Sequence, residues 1–292
     1  MRTYHSIAPR DPRPEPILRV LNLGAGTQST AVALMHLDGT LPPIDAAVFA
    51  DTQWEPDEVY QHLRKLRVAF SDAGVPLLEV TAGNIRADAL DSSHRFASMP
   101  TFVKGEMSKA GGMNRRQCTN EYKIKPVRKA ILGLVADKLG KQMDSWRNLP
   151  KGVFVEQVFG ISLDESQRMR SPRDRWSINY YPLIELGWRR QETIAYLERN
   201  GWSAPRSACI GCPYRSDASW LYLKENNPSE WQDAVEFDRD MRLAMKQRDR
   251  KFVGEIYLHR SMLPLAEAPL VSGRDENQTS LFGGECEGMC GI

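Results

Sequence analysis

An α/β fold, a parallel β-sheet with helices on both faces, is what the sequence predicts, and three observations predict it. Short apolar runs alternate with longer segments of helical periodicity through the first half of the chain, the rhythm of a parallel sheet with right-handed crossovers. A loop of small residues separates the first apolar run from the first helical one. The composition, 41% hydrophobic and 26% charged over 292 residues, is enough to bury the core of one large α/β domain or of a domain with an appended subdomain.

Ile17 to Leu23 reads as a strand, Gly24-Ala25-Gly26-Thr27-Gln28 as the loop, and Ser29 to Met35 as the helix that follows. Ala46 to Asp51 is the second strand, and a helix runs from about Pro56 to Phe70, with proline where a first turn tolerates it. Pro76 to Val80 repeats the rhythm. Between Asp91 and Gln117 the pattern gives way to Ser, Gly, Met and Lys, which predicts a mobile loop able to close over a ligand. A helix over 125–139, a buried strand over 153–161, a helical stretch over 188–200 and an amphipathic helix over 228–246 capped by Asn227 complete the pattern. The chain thus divides into an extended, proline-rich arm over 1–15, a main α/β domain over 16–215, a helical segment over 216–270 and a flexible cysteine tail over 271–292.

A net charge of +2 gives no global attraction to nucleic acid or membrane, so any polyanion site is local. No apolar run reaches the roughly 18 residues of a spanning helix, and the opening residues lack the apolar core of a secretion signal. The expectation is a cytoplasmic protein with no membrane partner. Its five cysteines, Cys118, Cys209, Cys212, Cys286 and Cys290, form an odd set. In a reducing compartment that points to metal or redox work rather than structural disulfides.

Five constellations carry chemistry. Gly24, Gly26, Thr27, Gln28, Ser29 and Thr30 lie between strand and helix, where backbone N–H groups, hydroxyls and the positive end of a helix suit phosphate. The loop lacks the lysine of G-x-x-x-x-G-K-S/T and the third glycine of G-x-G-x-x-G, and a tight turn without a ligand is the alternative. Asp51 and Thr52, with Gln53, Trp54 and Glu55 behind them, sit at the carboxyl end of the second strand, where they line a ligand crevice or merely cap a helix. Cys118 and the C-x-x-C of Cys209 and Cys212 suit zinc, an iron-sulfur centre or a redox dithiol. Arg168, Arg170, Arg173 and Arg175 offer guanidinium forks to phosphate or sulfate, or form a solvated charged loop. Cys286 and Cys290 follow a Gly-Gly pair, as nucleophiles able to swing into a cleft, as a tail disulfide, as a further cluster ligand, or as inert thiols.

Taken in order, these segments resemble the sulfonucleotide reductases, the phosphoadenylylsulfate and adenylylsulfate reductases of the PP-loop ATP-pyrophosphatase (adenine nucleotide alpha hydrolase) superfamily. The likeness covers roughly 17–215 and the tail. Gly24 to Ser29 stands where that family has S-G-G-x-D-S, keeping Gly26 and Ser29, and Asp51-Thr52-Gln53 stands for D-T-G. Cys118-Thr119 with Lys123 and Pro126 is similar to C-C-x-x-x-K-x-x-P without its second cysteine. Gly160 to Arg168 resembles the G-hydrophobic-R-R-x-E-S-x-x-R segment without its paired arginines. Tyr181 to Ile184 with Trp188 resembles P-L-x-x-W, Cys209 to Pro213 resembles C-x-x-C-T, and Glu285 to Gly288 is similar to the terminal E-C-G.

The resemblance implies a nucleotide-binding PP-loop domain over 16–215 that contacts adenine nucleotide through Gly24, Gly26, Thr27, Gln28, Ser29, Thr30, Asp51, Thr52 and Lys123. It implies a [4Fe-4S] cluster on Cys118, Cys209 and Cys212, three of the family's four ligands, which leaves one iron open. It further implies reduction of an adenylylated sulfate to sulfite, with Arg168 and Arg170 holding the anion, Cys286 or Cys290 attacking sulfur, and a small thiol protein such as thioredoxin resolving the adduct. Related ATP-dependent sulfurtransferases, which thiolate transfer RNA or DNA, suggest the alternative: ATP, with or without Mg2+, a nucleic-acid acceptor and a cysteine desulfurase as sulfur donor. A non-catalytic nucleotide-binding module is a second alternative.

Overall fold

The computed structural model describes residues 15–94, 99–105, 108–114, 116–172, 174–248 and 254–271. Its principal sheet is built from β1 (Leu18–Leu23), β2 (Ala46–Asp51), β3 (Leu77–Thr81), β6 (Val155–Phe159) and β7 (Ser177–Tyr180), in the spatial order β3-β2-β1-β6-β7. Every neighbouring pair is parallel. The predicted α/β class is what the chain adopts. Strands β1, β2 and β6 are nearly continuous apolar runs because both faces of the sheet are covered.

On one face, α1 (Thr27–Leu37), α2 (Asp57–Asp72) and α6 (Arg190–Arg199) enclose Leu21, Leu23, Phe49 and Val158. On the other, α4 (Lys125–Leu139) lays Val127, Ile131 and Val135 against Leu18, Val20 and Val155. Valines and isoleucines recur four apart along α4 and form one buried stripe. A single π-helical turn, Thr119–Ile124, leads into α4. Pro126, in the first turn of α4, has no N–H to donate and crowds the carbonyl four residues back, which widens the preceding turn.

A second core lies beyond the carboxyl end of β2. Here Trp54, Tyr122, Cys209, Cys212, Trp220, Phe237 and Ile256 pack together. It draws on α3 (Ile85–Leu90), α7 (Asp217–Asn226), α8 (Pro228–Arg248) and a small three-stranded antiparallel sheet. That sheet corrects the expectation of a mobile loop over 91–117. The segment carries β4 (Phe102–Gly105) and β5 (Ser108–Met113), with β4 also paired to β8 (Glu255–Tyr257). A Ser/Gly/Lys texture becomes strand because a partner some 150 residues later supplies backbone bonds that no local pattern reveals. The same core spans position 215, joining the C-x-x-C to the helices that follow it.

Candidate functional site

β1 and β6 are neighbours whose connections leave in opposite directions, so their carboxyl ends flank a topological switch point, the usual place for a ligand in an open α/β sheet. The loop after β1 enters it. Ala25 has φ +58, a left-handed conformation that costs energy for a residue with a Cβ and that collects at functional sites. Gly160, after β6, presses against the first turn of α1, where a Cβ would come within 2.6 Å of the Ser29 backbone nitrogen.

Residues 24–30 are buried. Gly26 donates its N–H to Ser29 Oγ at 3.2 Å, closing the helix start. The amide of Gln28 donates to Ser162 Oγ at 3.4 Å and Glu165 Oε2 at 3.3 Å. Arg190, at the first position of α6, reaches Gln28 Oε1 and Thr27 Oγ1 at 3.4 Å each. Thr30 Oγ1 lies 2.8 Å from His62 Nε2, and burial, followed by the nearby Lys65, lowers the His62 pKa to about 4, so the ring is neutral. The early N–H groups of α1 have no intrahelical acceptor. The result is a cluster of main-chain N–H donors with a guanidinium beside it, an arrangement suited to phosphate oxygens.

At the end of β2, Asp51 accepts from the Gln53 N–H at 2.7 Å and the Tyr60 hydroxyl at 2.9 Å. Burial first, and Asp51 second, push the Tyr60 phenol well up. Gln53 has φ +57, so both the β1 and β2 loops contain a non-glycine residue in the left-handed region. Beyond Gln53 the chain turns inward. Thr52 donates to Glu55 Oε1 at 2.8 Å and lies 3.3 Å from Cys209 Sγ, while Cys209 donates to the same Glu55 oxygen at 3.3 Å. Lys123 Nζ is 3.8 Å from that oxygen, so the sequence-predicted nucleotide lysine faces this cluster. Glu55 Oε2 is buried with no hydrogen-bond partner among the described residues.

The C-x-x-C is pinned against both loops. Ile210 donates its N–H to Trp54 O at 3.0 Å, and the Ser207 hydroxyl donates to Gly24 O. A Cβ on Gly211 would sink into the Trp54 ring, so glycine is required there by close approach. Arg215, buried beneath the turn, donates to Ile210 O at 3.0 Å and to Ala208 O and Cys209 O at 3.2 Å each. Burial brings its pKa down to about 10, which leaves it charged at neutral pH, and the nearby Cys212 and Cys209 favour that charge.

Cys118, Cys209 and Cys212 line one small cavity together with Arg116 and Lys123. None of the three is paired in a disulfide among the described residues. The donor set fits an iron-sulfur cluster in kind: three soft sulfur ligands, an apolar surround from the second core and two cations to offset thiolate charge. It is not preassembled, since among the described residues no three His, Cys, Asp or Glu side chains are gathered as a metal site.

The expected anion-holding arginines lie on and just after a 3-10 turn beyond β6. Arg168 pairs with Glu165 at 2.7 Å, both side chains largely buried, and Arg170 donates to the carbonyls of Gln167 and Met169 at 2.8 and 2.9 Å. The 3-10 turn Leu163–Arg168 brings a carboxylate within reach of Arg168 and carbonyls within reach of Arg170, which stays exposed. Cys286, Cys290 and Arg173 lie outside the described residues. His62, Arg190 and Arg215 were missed by sequence reasoning, and none of the three carried a local signal, whereas Glu55 lay in the segment after β2 that the sequence singled out.

No family model and no curated protein matches the chain. Among solved structures it is similar to the U34-tRNA thiolase NcsA from Methanococcus maripaludis with its [4Fe-4S] cluster, at 13% identity and a TM-score of 0.36 over 78% of this chain and 72% of that one. A likeness that distant assigns no role to any residue here. Among the described residues no helix is long and apolar enough to cross a membrane.

Proposed function

We propose that the chain is an adenine-nucleotide-dependent enzyme of the PP-loop type, an ATP-dependent sulfurtransferase in which the loop over 24–30 holds ATP and the cavity of Cys118, Cys209 and Cys212 holds the sulfur-handling centre. One observation carries this reading: three cysteines separated by up to 94 residues line a single cavity whose cysteine turn is hydrogen-bonded to the loops after both β1 and β2. In this scheme an acceptor oxygen attacks the α-phosphorus of ATP and pyrophosphate leaves. The terminal sulfur of a persulfide-bearing donor then displaces AMP, and a second thiol cleaves the resulting acceptor–S–S–donor bond, which leaves sulfur on the acceptor and a disulfide between that thiol and the donor.

The loop N–H groups and Arg190 bind the phosphates, Lys123 offsets charge at the cavity, and Glu55 receives the Cys209 thiol hydrogen bond. A cluster bound to the three thiolates would offer an iron site at which sulfur can be held. The acceptor class is nucleic acid, and the proposed donor is a cysteine desulfurase. We favour this over reduction of an adenylylated sulfate because the chain lacks the second cysteine after Cys118 and the paired arginines before Glu165 of the sulfonucleotide-reductase segments.

The test is to incubate anaerobic protein in turn with ATP plus bulk transfer RNA or DNA, with adenylylsulfate and with phosphoadenylylsulfate, and to assay pyrophosphate and sulfite. Acceptor-dependent pyrophosphate release with no sulfite is expected, along with iron that is lost in Cys209→Ala. Sulfite from either sulfonucleotide would reverse the choice, and zinc in place of iron would make the cysteine site structural.

A further inference from the structure

A cleft of about 590 Å3 opens beside α2 and takes no part in the proposed reaction. That is within the range of small-molecule sites. Lys65 and Glu58 of α2, Arg206 of the segment before the C-x-x-C, Arg215, and Ser219 and Tyr222 of α7 line it. Three cations therefore face one acidic residue. Burial pushes the Glu58 carboxyl up toward its neutral form, although Arg215 and a hydrogen bond with Tyr222 oppose that.

Arg215 is the unusual member. It is 8% exposed, and its bonds go to the carbonyls of residues 208–210 and, at 3.0 Å, to the Ser219 hydroxyl. Among the described residues no carboxylate lies within salt-bridge distance of it. Glu230 acts on it only from further off, and burial raises that carboxyl too. A buried guanidinium held only by neutral acceptors is costly, and an anion entering the cleft would relieve that cost. Four of its five N–H donors are engaged, which leaves one for such a ligand. At the rim, Tyr222 is 50% exposed and offers a flat aromatic face.

We propose that this cleft is a second anion site, separate from the loop after β1, which takes the phosphate of a nucleotide between Arg215, Arg206 and Lys65 with the base against Tyr222. The ligand chemistry is a phosphate joined to a stackable base, supplied by a free mononucleotide or by the 5′ end of a strand. The cleft is built to sense the chemistry next door. His62 in its wall bonds Thr30 of the loop, and Arg215 holds the cysteine turn.

The experiment is a calorimetric titration of AMP, inorganic phosphate and a 5′-phosphorylated trinucleotide into the full chain and into Lys65→Glu, Tyr222→Leu and Gly26→Val. Lys65 and Tyr222 are exposed, so their variants should keep the far-ultraviolet spectrum and melting midpoint of the parent. AMP should occupy two sites. Lys65→Glu removes one and Gly26→Val the other, while Tyr222→Leu weakens AMP about tenfold at the first without changing phosphate. Tighter binding of the trinucleotide than of AMP assigns a strand end, and equal or weaker binding assigns the free nucleotide. A single site lost in Lys65→Glu and retained in Gly26→Val would uphold this cleft while removing the proposed ATP loop. A single site lost in Gly26→Val and unmoved in Lys65→Glu overturns the inference.

Discussion

The loop after β1 and the cysteine turn at 209–212 are both tight, buried and dependent on a glycine, yet they are held by different means. The first is fixed by sheet geometry and by several partners around it: Gly26 with Ser29, Thr30 with a neutral His62, and Gln28 with Ser162, Glu165 and Arg190. The second hangs on one buried charge, Arg215, and on the flat face of Trp54. A loop whose one cation, Arg190, is held by long bonds to the neutral oxygens of Gln28 and Thr27 can turn that cation to an incoming phosphate. A turn held by a cation keeps positive potential next to its thiols, which favours thiolate.

The sharpest way to break the comparison is at the two glycines. Gly160→Ala sets a Cβ 2.6 Å from backbone nitrogen, and Gly211→Ala sets one into a ring. Each should cost about 3 kcal/mol or more by urea denaturation. Trp54→Leu should restore part of the loss in the Gly211 variant, and no side-chain change should do so for Gly160, where the obstacle is main chain. Equal rescue of both would erase the distinction.

Arg215→Met comes next. It strands three carbonyls and should lose about 3 kcal/mol, and Arg215→Lys should recover little because an ammonium cannot span the fork. Iron retention and the reactivity of Cys209 toward iodoacetamide should fall with it. Unchanged stability would show that the turn stands without the charge.

His62 gives a pH test of the first loop. Its pKa is about 4 when folded and near 6.5 when unfolded, so below 6.5 the unfolded state binds the extra proton. Its contribution is therefore complete above pH 6.5 and is lost as pH falls from 6.5 to 4, amounting to about 3 kcal/mol at the acid end. His62→Gln should flatten that part of the stability profile. A parallel profile in parent and variant would assign the acid loss to other groups.

The smallest effect is expected of Arg190→Met, whose hydrogen bonds are long, at 3.4 Å. Stability should change by less than about 1 kcal/mol, while ATP affinity drops about tenfold because a cation near phosphate is lost. An unaltered ATP titration would leave the loop amides as the only phosphate ligands.

The same contrast explains what the sequence made legible. β1, its loop and α1 follow one another, and the change from an apolar run to small residues to helical periodicity marks them without any distant partner. β4 and β5 were invisible because Phe102 and Val103 become strand residues only on meeting Tyr257 and Ile256. The three cysteines were recognisable as a set, but their neighbours were not. Glu55 meets Cys209 across 154 positions, and Arg190 meets Gln28 across 162. An isolated arginine or glutamate carries no period and no spacing, so only the folded chain assigns it.

The π-helical turn at Thr119–Ile124 holds one more residue than an α-helical turn would, between Cys118 and the regular body of α4. It absorbs an extra residue. A π turn advances about 80° per residue where an α-helix advances about 100°, so these six residues turn the chain through about the angle of five α-helical ones, and removing one would return the segment to α-helix with Cys118 still in phase with Val127, Ile131 and Val135. A deletion past Pro126, where no wide turn absorbs it, would instead rotate Cys118 by about 100° against that buried stripe.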